Sequence, residues 1–432
     1  MIARRAAEDM ELDRLQSRAF SYFVHESNPD NGLVIDKSAP GWPASIAATG
    51  LALTAYPVGV ERGLMSRPEA VRRTLAALRF LCDSPQGPEP QASGDHGLYY
   101  HFLHMRTGRR VWNCELSTVD TAFLLAGVLC AAVYFPEAAE IGERAQRLYE
   151  RVDWRWALNG GATLSHGWRP ETGFIPYRWE GYDEALLLYV LALAAPSFGL
   201  GPESYAAWAR TYRWETRYGL EYLYAGPLFI HQLSHCWIDF CGIRDEAMRA
   251  HGFDYFENSR RATVIQRQYA IENPLDFVGY GPRSWGITAS DGPGPATLKI
   301  DGLQRTFHDY VGRGVPYGPD DGTLAPWAVV ASLPFAPELV LEAISYMLRE
   351  LKLSHEEPYG FKATYNPTFP VGKRSEHGWV SPWHFGINQG PIVIMIENAR
   401  SGLVWELMRG CGPIAQGLRL AGFTGGWLAE GH

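Results

Sequence analysis

The chain of 432 residues is 46% hydrophobic and 20% charged, which is typical of a globular protein and excludes a largely disordered one. Its formal charge of -8 and the lack of a long Lys or Arg run argue against nucleic-acid binding. The six cysteines include no CxxC pair, so nothing in the sequence demands disulfides.

The N-terminus carries no recognisable targeting segment. Residues 1–9 become acidic too early for a signal peptide, and the longest apolar run, 121–135, is shorter than the ~18 residues of a membrane span. We therefore expect no membrane insertion and a cytoplasmic protein, or a periplasmic one if a leader preceded this sequence. The oligomeric state is left open.

Helical periodicity recurs along the whole chain, between stretches rich in Gly and Pro, without a run of strand hairpins. The segment 185–192 is apolar on nearly every side, as in buried helices, whereas 137–151 and 338–350 are amphipathic. Alternating buried and outer helices predict an all-α (α/α)6 toroid, a single domain over 1–432, rather than an α-solenoid. The predicted helices cover about 12–27, 43–56, 68–83, 116–134, 137–151, 181–195, 203–213, 222–240, 254–272, 324–333, 337–352 and 389–408, and the long loops 84–111, 154–180, 274–322 and 354–388 are expected to form the site.

The chain contains 15 Trp and 22 Tyr, and some lie beside Gly or Pro in loops, as Trp42 and Trp383 do, where platforms for sugar rings are an alternative to core packing. Glycoside hydrolysis requires a protonated carboxylic acid and a second carboxylate, and several acidic segments are candidates. Ser117 or Thr118 is expected to cap an apolar helix and to place Asp120 in its first turn. Stabilisation of the helix start is the alternative role of Asp120. An acid within an apolar ring of helices nevertheless costs free energy unless it is paired or used.

Asp183 and Glu184 open the most hydrophobic predicted helix. Leu187, Leu188 and Leu191 follow Glu184 at helical spacing, which predicts that Glu184 lies over the apolar face of that helix. Desolvation there would raise the pKa of Glu184 into the range of a general acid. Asp183 is expected to cap the helix.

Two further carboxylates have simple structural alternatives. Asp291 lies in a Gly/Pro loop near Trp285, where it is either an Asx-turn residue or a sugar-binding or water-activating group. Glu257 precedes Arg260 and Arg261 at i+3 and i+4, so an intrahelical ion pair is its alternative role.

The sequence offers little support for a zinc site or for nucleotide, flavin or serine-hydrolase chemistry. His231, Gln232 and His235 lie on one face of the predicted helix 222–240, but the intervening Glu of HExxH is absent, so no zinc site is expected. The sequence also contains no P-loop, GxGxxG, GxSxG or EF-hand pattern, which disfavours nucleotide, flavin and serine-hydrolase functions.

Seven runs together match one known family: 44–50, 115–122, 179–184, 237–240, 254–263, 288–293 and 395–398. In these runs the chain resembles the glycoamylase-like family, which includes bacterial endo-β-1,2-glucanases and the cyclising domain of cyclic β-1,2-glucan synthases. The resemblance implies an (α/α)6 fold, no metal or organic cofactor, and action on β-glucans, best known for the β-1,2 linkage.

The resemblance implies the role of Glu184, and the residues themselves suggest the roles of the others. Of the two acids after Gly181 and Tyr182, Glu184 corresponds to the general-acid candidate of the family, and the reaction is expected to be inverting. The proton of Glu184 passes to the substrate directly or through the 3-hydroxyl of the substrate. Asp120, Glu257 or Asp291 would supply the second carboxylate. The expected substrate-binding residues are the aromatic platforms Trp42, Trp179, Tyr182, Trp285 and Trp383, and the polar residues Glu115, His231, Arg260 and Asn388.

Two positions depart from the pattern of the family. Asn388 and Ala363 stand where many members carry Asp, and neither can serve as a base. The alternatives are therefore an anomer-retaining β-1,2-glucan transglycosylase and, from another class, a glucan-binding protein without turnover. An epimerase would rely on His231 and His235.

Overall fold

The computed structural model describes residues 2–371 and 377–429. Helices make up 44% of the structure, which confirms a mostly helical protein. None of the helices in the described residues combines the length and apolarity that a membrane crossing requires. The helices are α1 (Ile2–His25), α2 (Ile46–Glu61), α3 (Arg67–Asp83), α4 (Thr118–Tyr134), α5 (Ala139–Glu150), α6 (Trp154–Ala157), α7 (Leu186–Ala194), α8 (Pro202–Ala209), α9 (Glu246–His251), α10 (Tyr255–Glu272), α11 (Pro326–Ala331), α12 (Pro337–Arg349), α13 (Gly386–Arg400), α14 (Leu403–Arg409), α15 (Gly412–Leu420) and α16 (Gly426–Ala429).

Short strands lie between the helices and pair in antiparallel fashion. The strands are β1 (Ala44–Ser45), β2 (Gly94–Asp95), β3 (Leu98–Tyr100), β4 (Phe102–Leu103), β5 (Leu116–Ser117), β6 (Gly167–Arg169), β7 (Gly173–Phe174), β8 (Trp214–Arg217), β9 (Leu220–Leu223), β10 (Ala289–Ser290), β11 (Ala296–Ile300), β12 (Leu303–Phe307), β13 (Val311–Gly312), β14 (Tyr365–Asn366) and β15 (Trp379–Val380).

The described residues divide into two compact units. Unit 1 contains residues 2–22, 214–233, 257–371 and 377–400, and unit 2 contains 23–213, 234–256 and 401–429.

The core of unit 2 is built around α2 and α4, which are buried along most of their lengths. The two helices approach closely at Gly50 and Gly127. A Cβ atom at Gly50 would lie 2.3 Å from the Phe123 carbonyl oxygen, and one at Gly127 would lie 1.9 Å from the Gly50 carbonyl oxygen. Only residues without a Cβ permit this approach.

Each of these two buried helices starts directly after a two-residue strand. β1 leads into α2 and pairs with β4, whereas β5 leads into α4 and belongs to the five-stranded sheet β2-β3-β5-β6-β7. In that sheet Leu116 of β5 pairs with Tyr100 of β3 and Trp168 of β6. The sheet therefore fixes which side chains surround the N-terminus of α4.

Unit 1 contains the hairpins β8–β9 and β11–β12, most of α10, and the buried helices α11 and α13. The first part of α1 packs on α13, since Nε2 of Gln16 donates a hydrogen bond to the Val393 carbonyl at 3.0 Å. The pair β10–β13 carries the loop that contains Asp291.

Three sequence expectations about secondary structure were wrong. The predicted helix 222–240 is instead β9 followed by 3-10 turns at Leu228–His231 and Leu233–Cys236, because Gly226 and Pro227 interrupt the chain there. The predicted helix 389–408 is divided into α13 and α14 by Gly402, whose φ is 72°. The strand hairpins β8–β9 and β11–β12, with strands of four and five residues, were also missed, and the other strands have only two or three residues, too short to show an alternating pattern.

Candidate active site

In unit 2 the side chain of His101 is surrounded by carboxylates near the junction of β5 and α4. Its Nδ1 lies 3.0 Å from Oε1 of Glu115, and its Nε2 lies 3.6 Å from Oδ2 of Asp120. Nη2 of Arg169 on β6 donates to Oε2 of Glu115 at 3.3 Å. The carboxylate of Asp36 also interacts electrostatically with the imidazole. Asp36, His101, Glu115 and Asp120 are called the His101 cluster below.

The cluster holds a cation among its acids. Burial lowers the pKa of His101, but the negative charge of Asp120, the hydrogen bond to Glu115 and the charges of Glu115 and Asp36 outweigh burial and raise this pKa to about 9. Burial raises the pKa of Glu115, yet the bond and charge of His101 prevail and lower it to about 2. Burial raises the pKa of Asp36 to about 6, against the charge of His101. His101 is therefore an imidazolium at neutral pH.

Asp120 lies in the first turn of buried α4, as predicted. Ser117 is the N-cap: its Oγ accepts from the Asp120 backbone N–H at 3.2 Å and donates to Oδ2 of Asp120 at 2.5 Å. The carboxylate thus stabilises the helix start and at the same time faces His101. The helix-start role expected from the sequence is therefore present, and the role of Asp120 as the second carboxylate stays a prediction.

Glu184 precedes α7 instead of opening it, so the expected alignment of Glu184 with the leucine face of a helix was wrong. α7 begins at Leu186 with Ala185 as its N-cap, and the expected cap by Asp183 was also wrong. Oδ1 of Asp183 instead accepts from the Ala185 N–H and the Trp208 indole, each at 3.0 Å, within the turn before the helix.

The predicted rise in the pKa of Glu184 is confirmed. Burial raises this pKa to about 7, the backbone N–H of Glu184 opposes the rise, and the charge of Asp120 adds to it. Burial and the charge of Glu184 also raise the pKa of Asp183, against the donors Ala185 and Trp208. Those donors stabilise a carboxylate at Asp183, whereas no other side chain of the described residues donates to Glu184. Both carboxyls therefore hold a proton to a higher pH than exposed carboxyls do.

The predicted platforms of unit 2 differ in accessibility. Trp42 is half-buried, and its indole N–H donates to Oδ2 of Asp36 at 3.1 Å. Trp179 is buried: its ring stacks on His166 at 3.7 Å, and its N–H donates to Thr118. Tyr182 is buried as well. The structure therefore buries Trp179 and Tyr182, and among these three only Trp42 keeps a partly exposed ring.

In unit 1 the structure brings Asp291 and Trp383 together. Oγ of Ser381 donates to Oδ2 of Asp291 at 2.7 Å and accepts from the Trp383 backbone N–H at 3.3 Å. Thr364 donates to the Asp291 carbonyl at 3.0 Å, and its neighbour Ala363 binds the Trp383 carbonyl through its backbone. Asp291 is thus held from a segment more than 70 residues away, beyond what a local Asx-turn would provide.

A buried ion pair supports the same loop. The guanidinium of Arg313 donates to both oxygens of Asp321 at 2.7 Å, and it donates to the Ser290 carbonyl at 2.6 Å, directly before Asp291. Neither charged side chain has exposed surface. Arg313 therefore fixes the backbone that carries Asp291.

The remaining unit 1 candidates lie in different environments. Glu257 forms ion pairs with Arg260 at 2.6 Å and Arg261 at 2.8 Å, which is the intrahelical alternative, and these hydrogen bonds lower its pKa. His231 is buried against the Ala225 carbonyl, and burial lowers its pKa to about 4, so the expected donor to sugar hydroxyls is enclosed in the protein. Trp285 has no exposed surface, Asn388 is buried, and Trp383 is half-buried.

Sequence reasoning missed His101, Asp36, Arg169, Arg313 and Asp321. No local pattern marks them, because their contacts depend on strand pairing and on loops that meet in the fold. The sequence signal that comes nearest is the position of Trp42 within a Gly–Pro loop six residues after Asp36.

A family model described as "Putative glucoamylase" matches residues 176–412, which is more than half of the chain. The chain belongs to the glycoamylase family. This assignment agrees with the resemblance found in the sequence. Within the glycoamylase family match lie Glu184, Glu257, Asp291 and the Arg313–Asp321 pair, whereas the His101 cluster precedes it.

The chain is also similar to individual proteins. It is 28% identical, over 94% of its length, to an exo beta-1,2-glucooligosaccharide sophorohydrolase (non-reducing end) of Parabacteroides distasonis, and it spans 57% of the length of that relative. A crystal structure of a putative glucoamylase from Bacteroides uniformis has a TM-score of 0.83 at 30% identity and covers 98% of both chains. An endo-beta-1,2-glucanase from Chitinophaga pinensis, in complex with sophorotriose and glucose, has a TM-score of 0.82 at 27% identity. The match covers 98% of this chain and 99% of the glucanase chain.

Proposed function

We propose that this protein is a glycoside hydrolase that cleaves β-1,2-glucan or β-1,2-gluco-oligosaccharides. The observation that carries the proposal is the carboxyl of Glu184, whose pKa of about 7 allows it to hold and donate a proton near neutral pH. The activities named for the relatives from Parabacteroides distasonis and Chitinophaga pinensis support the choice of linkage.

In the proposed inverting reaction, Glu184 donates its proton to the leaving glycosidic oxygen, directly or through the 3-hydroxyl of the substrate. As the C1–O bond breaks, a water molecule attacks C1 and gives its proton to a second carboxylate. Asp120 and Asp291 are the stronger candidates for this base. Glu257 is the weaker one, because two arginines hold its carboxylate.

Several residues are proposed to bind the sugar chain. The half-buried rings of Trp42 and Trp383 offer apolar faces to pyranose rings. Glu115, Arg260 and Asn388 offer hydrogen-bonding groups. Trp179, Tyr182, Trp285 and His231 would support the site from within the protein.

For the fold we propose the (α/α)6 toroid expected from the sequence, within a single domain of residues 1–432. The helical content and the likeness to the Chitinophaga pinensis glucanase over 98% of the chain support this choice.

The test of the general acid compares two neighbouring carboxyls. Glu184→Gln keeps the size of the side chain and removes its proton, so turnover of linear β-1,2-glucan should fall about 10²–10⁴-fold while oligosaccharide binding persists. Asp183→Asn is the matched control, because an amide oxygen can still accept from Ala185 and Trp208, and it should keep activity within about tenfold. Product release is measured by chromatography over time, and full activity of Glu184→Gln would rule out the assignment.

The same protein and oligosaccharides test two alternatives, an anomer-retaining transglycosylase and a glucan-binding protein without turnover. If NMR shows that the first product keeps the β configuration, the inverting mechanism is wrong, and oligosaccharides longer than the substrate would then identify the anomer-retaining transglycosylase. Asn388 and Ala363 favour the second alternative, a glucan-binding protein that lacks its base. Such a protein would bind oligosaccharide in calorimetry and release no product over days.

A further inference from the structure

Trp112 is the most unusual aromatic side chain near the His101 cluster, because 56% of its surface is exposed. It lies in the loop between β4 and β5, and both Trp112 and the following Asn113 have positive φ, 56° and 50°. Bulky residues rarely adopt this conformation, and such outliers collect at functional sites. The fold thus maintains an unfavourable backbone and an exposed indole at the same position.

The indole of Trp112 is held in one orientation by other rings. Its centroid lies 4.8 Å from that of Trp42, at an interplanar angle of 69°, and 5.3 Å from that of Phe102. Phe102 in turn stacks on His101 at 3.9 Å and 13°. A continuous row of rings therefore leads from the His101 cluster to the exposed indole, and this contrasts with the isolated aromatic residues found on most protein surfaces.

A hydrogen-bond acceptor and a hydrogen-bond donor lie beside this row of rings. Oδ2 of Asp36 accepts from the Trp42 indole, and Nζ of Lys37 lies 4.0 Å from the centroid of the Trp42 ring. An oriented aromatic face beside an acceptor and a donor matches a pyranose, which has an apolar C–H face and a rim of hydroxyl groups. A flat apolar partner would leave Asp36 and Lys37 without new hydrogen bonds.

We propose that Trp112, together with Trp42 and Asp36, forms a subsite that binds a glucosyl residue of a glucan chain, separate from the residue that reacts. This inference rests on the proposed function, since it assigns part of the same substrate. Phe102 and His101 lie between Trp112 and Asp120, so a short substrate at the reacting carboxyls does not reach Trp112, whereas a longer chain does. Trp112 thereby determines the preference for chain length.

The experiment measures kcat/KM for a series of β-1,2-gluco-oligosaccharides of increasing length. In Trp112→Ala the longer members should lose about tenfold in kcat/KM, mostly through KM, and the shortest cleaved member should be unchanged. Trp112→Tyr should restore most of the loss because it keeps an aromatic face. Phe198→Ala, which removes another exposed ring of unit 2 (39% exposed), is the control and should resemble the unmodified protein at every length.

The outcomes separate the subsite from the proposed function. If the unmodified protein releases nothing from any β-1,2-glucan, the proposed function is wrong, and calorimetric titration of the same oligosaccharides still tests the subsite through the affinity lost in Trp112→Ala. If the protein is active but Trp112→Ala loses nothing, or loses equally at every length, the subsite is wrong. Circular dichroism establishes that each variant is folded, and Trp112→Tyr decides the question if the Ala variant is not.

Discussion

The two units hold their candidate carboxylates with different cations. In unit 2 the cation is His101, whose side chain is 30% exposed between Glu115 and Asp120. In unit 1 it is Arg313, whose guanidinium bonds both oxygens of Asp321 without any exposed side-chain surface. Arginine keeps its charge at every accessible pH, whereas an imidazolium loses its proton within the measurable range.

The charge of the Arg313–Asp321 pair is therefore independent of pH, whereas the charges of the His101 cluster change with pH. The Arg313–Asp321 pair fixes the backbone before Asp291 and cannot change its charge once folded. The His101 cluster contains several titratable groups whose charges influence one another, including the charge of Asp120 that acts on Glu184. We expect pH to act on unit 2 and single substitutions to act most strongly on unit 1.

The largest effect is expected when the buried pair in unit 1 is broken. Asp321→Asn leaves the guanidinium of Arg313 buried without a counter-charge, and the free energy of unfolding should fall by about 3–5 kcal/mol. Burial raises the pKa of Asp321 but the bonds and charge of Arg313 outweigh it and lower this pKa, so the carboxylate is the form that the fold stabilises. Urea unfolding of both proteins measures the change.

A double-mutant cycle distinguishes the pair from its two members. Arg313→Met should cost a similar amount to Asp321→Asn, and the double variant should cost clearly less than the sum, because no unpaired charge then remains buried. Strict additivity of the two single changes would show that the ion pair contributes nothing and would remove the contrast with His101.

A smaller, pH-dependent effect is expected for His101. The pKa of His101 is raised from 6.5 to about 9 in the folded state, so its stabilising contribution is complete below 6.5 and is lost as pH rises through 9. His101→Gln should remove about 1–2 kcal/mol at pH 6, less than the pKa shift alone suggests, because 30% of the side chain is exposed to solvent screening.

The measurement is unfolding stability between pH 6 and pH 10, where the difference between the His101→Gln variant and the unmodified protein should shrink with rising pH. If Glu184 is the general acid as proposed, its pKa of about 7 is expected to set an alkaline limb of activity, and that limb should remain in the variant because Glu184 is unchanged. A difference in stability that stays constant across this range would mean that the charge of His101 contributes nothing.

How much of this site the sequence reveals depends on how local each contact is. Ser117 and Asp120 are three residues apart, and both the cap and the place of Asp120 in α4 were predicted correctly. The raised pKa of Glu184 was also predicted, but from a helix that begins two residues later. The prediction succeeded because desolvation depends on the apolar surroundings rather than on the exact helix boundary.

Long-range contacts could not be predicted in the same way. Asp36 and His101 meet because Ile35 bridges to Ala44 of β1 and β1 pairs with β4, whereas the pairing of β3 with β5 brings Glu115 to His101. Strands of two or three residues leave no periodic signal. The mostly helical character was predicted from the buried helices. The helix predicted over 222–240 was wrong because hydrophobic residues continue through Gly226 and Pro227. Composition likewise could not distinguish the enclosed ring of Trp285 from the accessible one of Trp42.

The smallest effect is expected when the hydroxyl of a serine N-cap is removed, because a serine carries no charge. A second serine N-cap in unit 2 provides the control. α2 and α4 both follow a two-residue strand and both have a serine N-cap, Ser45 or Ser117, whose Oγ accepts from a backbone N–H at 3.3 or 3.2 Å. Only Ser117 also donates to a carboxylate, that of Asp120. Ser45→Ala and Ser117→Ala should each lower the free energy of unfolding by about 1 kcal/mol.

The two variants should then differ in activity. Ser117→Ala leaves Asp120 with His101 but removes its hydroxyl donor, so kcat/KM on β-1,2-glucan should fall by about tenfold, the value of one hydrogen bond to a charged group. Ser45→Ala should keep its activity because no carboxylate depends on Ser45. Equal activities in the two variants would show that Asp120 serves only the start of α4, and the second carboxylate would then have to be sought in unit 1 at Asp291, beside the permanent charge of Arg313.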